Sequence, residues 1–143
     1  MKSTILSAAI LAIAMTTASA DPIADREAYM KENGRLVGAV AAVVKGEKPF
    51  DAAEVLASLE ALNAHAQEFD AAKLFPAGSE GEEASPAIWT DQAGFEAAAT
   101  KFKDATAAAV TAAPQDVDAL RATVGEIGGS CSGCHKAFRI DKG

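Results

Sequence analysis

The chain has 143 residues, 50% of them hydrophobic and 6% aromatic, with a formal net charge of −7, which suits one small domain and disfavours nucleic acid and anionic lipid as partners. With the first twenty residues set aside, 12 Lys plus Arg face 20 Asp plus Glu, a balance of −8 that favours partners basic at their docking face.

Residues 1–20 read as a secretory signal peptide. Lys2 supplies the positive n-region, Ile5 to Met15 the apolar run, and Ala18-Ser19-Ala20 a small-residue cleavage site. The mature chain is then 21–143, exported to the periplasm. The apolar run falls short of the roughly 20 residues a spanning helix needs, so no membrane anchor is expected after processing.

Four helices follow. The first is predicted over 22–45, with Asp21 as cap and Pro22 at the first helical position, stopped by Gly46 and Pro49. The second opens at Asp51 with Glu54 three residues on, in the manner of a capping box, and is predicted to reach Lys73. Val55, Leu59, Leu62, Ala66 and Phe69 place one apolar face on it. Residues 74–86 hold Pro76, Gly78, Gly81 and Pro86 and read as a surface loop. The third helix is predicted from Ser85 or Thr90 to Ala112, with Ile88, Phe95, Phe102 and Val110 as its larger apolar residues, and Pro114 ends it. The fourth starts at Gln115 or Asp116 and carries Val117, Leu120, Val124 and Ile127 toward Phe138. Gly128-Gly129 either faces something bulky or kinks that helix. No strand-like alternation or repeat competes, so the expected fold is all-α, an antiparallel four-helix bundle. A core this rich in alanine would be thin, and a cofactor lodged between the helices would fill it.

Both cysteines of the chain lie in Cys131-Ser132-Gly133-Cys134-His135, the spacing of c-type haem attachment. On a helix Cys131, Cys134 and His135 share a face, so two thioethers can fix a porphyrin edge while the imidazole turns under the ring to the iron. A thioredoxin-type pair would belong beside a strand, and a zinc site lacks ligands, since His65 is the other histidine. The expected cofactor is one covalent haem c.

Taken with Arg26-Glu27-Ala28-Tyr29-Met30, Lys45 to Asp51, Leu74 to Ser79, Ala87-Ile88-Trp89 and Cys131 to Arg139, the pattern resembles the class II cytochromes c, the cytochrome c-prime family. The resemblance covers nearly the whole mature chain and implies a bundle with its haem motif near the C-terminus. Members differ on the far face of the iron: high-spin proteins leave it five-coordinate, and low-spin ones close it with a methionine from helix one. The resemblance puts Met30 at that place, in a segment like the low-spin branch. A Met there can also pack over the ring without bonding. Gly34 and Gly38 would let helix one approach closely.

The resemblance also places Arg26 near a haem propionate, against the alternative of an exposed, solvated charge, and puts Glu27 and Glu83 near haem-contact positions. Arg139, one turn past His135, suits a helix C-terminus and neutralises charge near the proximal ligand. Trp89 packs on the haem edge or plugs the bundle end. His65 sits beside the apolar stripe of helix two and is a weak rival ligand. The expected function is one-electron transfer by a Met30/His135-ligated haem among redox protein partners, as a carrier and not an enzyme. The rivals are a five-coordinate protein binding nitric oxide or another diatomic gas, and a haem subunit of a larger enzyme. A homodimer is common in the family, but the small apolar residues here do not decide it.

Overall fold

The computed structural model describes residues 21–140, and the expected signal peptide lies outside them. Among the described residues there are six helices: α1 Pro22–Val44, α2 Ala52–Gln67, α3 Ala71–Leu74, α4 Ala87–Thr90, α5 Gln92–Ala112 and α6 Val117–Phe138. Aspartate starts five of them. The carboxylate of Asp21 accepts from the Ile23 and Ala24 amides, Asp51 from Glu54, Asp70 from Lys73, Asp91 from Gly94 and Asp116 from Ala119. Each such bond satisfies an amide that the first helical turn leaves without an internal partner.

Those caps correct two sequence expectations. Helix two was expected to reach Lys73 but stops at Gln67, because Asp70 starts a new helix three residues on. The third predicted helix is likewise split, since Asp91 closes α4 and caps α5 at once. A short polar side chain satisfies more of the backbone at a helix start than inside a helix. The Gly128-Gly129 pair breaks nothing: α6 runs through it, and a methyl at either glycine would meet no protein atom within 4 Å.

The four long helices alternate in direction. The start of α1 meets the end of α2 where Tyr29 stacks on His65; Gln67 and Asn63 of α2 bond Lys103 and Thr106 of α5; Phe95 at the start of α5 meets Phe138 at the end of α6. These pairings make an antiparallel four-helix bundle, with α1 and α5 each between α2 and α6.

The interior has two unlike halves. Leu36, Val40, Val55, Leu59, Leu62, Leu120 and Ile127 fill the end far from the chain termini with branched aliphatics. Phe69, Leu74, Ile88, Phe95 and Phe138, joined by the half-buried Tyr29, Phe75 and Trp89, make an aromatic cluster at the other end. The helix-two stripe behaves as its periodicity predicts, and Val55, Leu59, Leu62, Ala66 and Phe69 are all buried. Phe69 does so from just past the helix end. Thr106, wholly buried on α5, satisfies its hydroxyl on the Asn63 side chain and the Lys103 carbonyl.

Candidate functional site: a cleft between the first and last helices

A cleft of about 470 Å³ opens in the aromatic half, a volume within the roughly 300–1,000 Å³ usual for small-molecule sites. The end of α6 forms one wall with Cys134, His135 and Phe138, and α1 faces it with Arg26, Glu27, Met30 and Lys31. Phe75, Ile88 and Phe95 make an apolar floor, and Glu82, Glu83 and Arg139 stand at the mouth.

Cys131 and Cys134 lie one helical turn apart on α6 and form no disulfide. Cys131 packs against the aliphatic half of the core, whereas Cys134 belongs to the aromatic half and lines the cleft. Burial pushes both thiols above their ordinary pKa, so they stay protonated near neutrality. His135 is exposed on the same wall, and its carbonyl accepts the Arg139 amide at 2.9 Å, which closes the last turn of α6. Among the described residues no group of three or more His, Cys, Asp or Glu could hold a metal ion.

Among the described residues Met30 is one of two large apolar side chains left exposed, at 36%, and it lines the cleft that His135 also lines. Gly34 and Gly38, expected to allow close approach of helix one, face open space, and a methyl on either would meet no protein atom within 4 Å. That expectation finds no support from the packing of the bundle itself.

Arg26 is buried, at 5% exposure, and is not the solvated charge that the sequence left open. Its guanidinium donates to the Ser79 carbonyl at 2.8 Å and the Gly81 carbonyl at 3.1 Å and lies 5.2 Å from the Phe75 ring centre. It thereby pins the loop that roofs the cleft. Gly81 is strained for any other residue, with φ of +139°.

Glu83 and Arg139 form an ion pair at 2.6 Å, flanked by the Ile140 amide on the Glu83 carbonyl and the Ser85 amide on the Phe138 carbonyl. An antiparallel bridge between Ala84 and Arg139 completes this clasp. The pair is about half exposed and is worth little by itself, but the clasp fixes the cleft mouth against the helix that carries His135.

Glu27 is exposed at the rim. Trp89 is not among the residues lining the cleft; its indole N–H donates to the Phe75 and Pro76 carbonyls at 3.2 Å and braces the roof from outside. His65 also lies away from the cleft, stacked on Tyr29. Sequence reasoning missed Lys31, Phe75, Phe95 and Phe138 as lining residues. Phe138 was accessible to it, since four residues after Cys134 is the same helix face. Phe75 and Phe95 reach the site through the loop and α5, which no local pattern announces.

The residues present fit haem c. Two unpaired thiols at one-turn spacing, an imidazole beside them, an apolar floor and cations at the wall and mouth match an apolar macrocycle with a carboxylate edge.

Comparison with known proteins agrees with that fit. The profile of the family described as Cytochrome C′ matches residues 21–139. The chain is 38% identical to cytochrome c-556 of Agrobacterium fabrum over 125 residues, which is 87% of this chain and 84% of that one. It is also 38% identical to cytochrome c′ of Rhodopseudomonas palustris over 145 residues, covering 97% and 95% of the two. Among solved structures, cytochrome c′ from "Rhodobacter Spheriodes" superposes with a TM-score of 0.78 at 34% identity, covering 85% of this chain and 96% of that one. A nitric oxide complex of a leucine-to-alanine variant of cytochrome c prime from Alcaligenes xylosoxidans superposes at 0.77 with 36% identity, covering 85% and 95%.

Proposed function

Because the chain belongs to the cytochrome c′ family and binds haem c, we propose that it is a one-electron carrier whose iron is held by His135 on one face and Met30 on the other. The observation that carries this reading is Met30 itself: a large apolar side chain, 36% exposed, that lines the same cleft as His135 but comes from α1 rather than α6. A thioether there is a competent axial ligand. Cys131 and Cys134 form the covalent bonds to the group, and haem c supplies a redox-active iron when bound.

The residues around the cleft have separable tasks in this reading. Phe75, Ile88, Phe95 and Phe138 keep water from the apolar surface of the cleft. Arg26 and Arg139 offset carboxylate charge at the haem edge, while Glu27 and Glu83 stand at its rim. With Met30 and His135 both holding the group, the chain would leave no open position for a substrate, and the protein is read as a carrier and not an enzyme. Its work is placed in the periplasm after removal of residues 1–20. The acidic surface would steer it to redox partners that are basic where they dock. Among the described residues no helix is long and apolar enough to cross a membrane.

An absorption spectrum of the oxidised holoprotein tests this. A far-red thioether-to-iron band is expected, and Met30→Ala is expected to abolish it, leaving a high-spin species that binds carbon monoxide readily. A native spectrum that is already high-spin, and unchanged in Met30→Ala, would favour the second reading: a five-coordinate protein that takes nitric oxide or another diatomic gas. Support for that alternative comes from the similar solved proteins that carry nitric oxide or carbon monoxide.

A further inference from the structure

A small polar cluster ties the Met30 face of α1 to α2. The rings of Tyr29 and His65 stack with centroids 4.2 Å apart, the Tyr29 hydroxyl donates to the His65 carbonyl at 2.9 Å, and the imidazole Nε2 lies 3.2 Å from the Tyr29 carbonyl. Together they fix the rotation of α1 at the residue just before Met30.

Asn33 completes the cluster from one turn further on. Its amide Nδ2 donates to the Met30 sulfur at 3.8 Å, long but within reach for so large an acceptor. The amide oxygen is buried and has no hydrogen-bond partner. Helix formation does not explain an asparagine here, since Asn is a poor residue for a helix interior. The reverse orientation of the amide would set its oxygen against the thioether, one acceptor facing another. The N–H therefore belongs toward the sulfur, even though the oxygen is left unpartnered.

We propose that Asn33 is the positioning residue for the Met30 thioether, its amide N–H holding one sulfur lone pair so that the other is left for the iron. This rests on the reading of Met30 as an axial ligand. Tyr29 and His65 anchor the arrangement by fixing the backbone from which both side chains project. A thioether without such a partner samples several rotamers, because Met has three flexible side-chain bonds.

The test uses the oxidised holoprotein and exogenous imidazole as a competitor for the Met30 position. Asn33→Leu, which keeps the bulk and removes the donor, is expected to retain haem and helical content but to bind imidazole about five-fold more tightly, the ratio set by one hydrogen bond of ordinary net strength. Asn33→Asp, an isosteric exchange of donor for acceptor, is read in parallel and is expected to move the same way. Asn33→Gln, which restores a donor, should return toward the native value. Native imidazole affinity and an unshifted far-red band in both Asn33→Leu and Asn33→Asp would overturn the positioning role while leaving ligation intact. A native protein with no such band, unaltered by Met30→Ala, would instead remove the ligation reading on which the proposal stands.

Discussion

Tyr29 is the single tyrosine of the chain, and its surroundings set an unusual titration. Burial pushes its hydroxyl from 10.0 up to about 12, with the Asn33 amide opposing and the charge of Glu68 adding. The folded chain thus holds the phenolic proton more tightly than the unfolded one. The stability this contributes is intact below the ordinary phenol range and is lost as pH climbs through about 12. Ultraviolet phenolate absorbance of the native protein is expected to rise near that value, and Tyr29→Phe should flatten the alkaline loss of stability. A phenol that titrates at 10.0 in the intact fold would contradict this. Legibility at this scale was uneven. Cys131, Cys134 and His135 announce themselves by spacing alone. Arg26 did not, because its partners are the carbonyls of Ser79 and Gly81, more than fifty positions away, and no local pattern tells a buried guanidinium from a solvated one.

The elements themselves turn on aspartate. Asp91 accepts the Gly94 amide at 3.0 Å, and a methyl at Gly94 would collide with that same carboxylate. Asp91→Ala is expected to cost about 1 kcal/mol in denaturant unfolding, the usual value of a helix cap. Gly94→Ala gains helix propensity but displaces the cap, so it should be near neutral alone and stabilising by about 1 kcal/mol in the Asp91→Ala background. A double-mutant cycle measures the coupling, and strict additivity of the two changes would refute it. The same residues explain why the long helices were legible and their interruptions were not. Asp21 with Pro22, Asp51 and Asp116 each precede a fresh apolar period, and the starts follow directly. Asp70 and Asp91 fall where the period continues on both sides, since Phe69 and Phe95 still reach the core, so periodicity runs smoothly across a break that only the caps mark.

Across the whole molecule the two halves divide the labour. Branched aliphatics hold the helices together at one end, and the aromatic end holds the cleft. The four-helix plan was readable from periodicity and breakers, as was the idea that alanine alone would fill the centre poorly. The roof was not, because the Glu83–Arg139 pair and the Ala84 bridge join segments far apart in sequence. That roof brings the beginning and the end of the described chain to one place. A methyl at Gly81 would lie 3.8 Å from the Ile23 side chain, while the Ile140 amide sits on the Glu83 carbonyl at 2.8 Å. A circular permutant is therefore expected to fold: a short Gly/Ser linker joins Ile140 to Asp21, and new ends are cut in the distant turn between Gly46 and Phe50. It should keep the spectrum of the parent, whereas cutting between Gly81 and Glu83 should not. The neighbourhood of the prosthetic group would then be free of loose ends, and the opposite pole could carry an electrode tether or a fused domain without disturbing it.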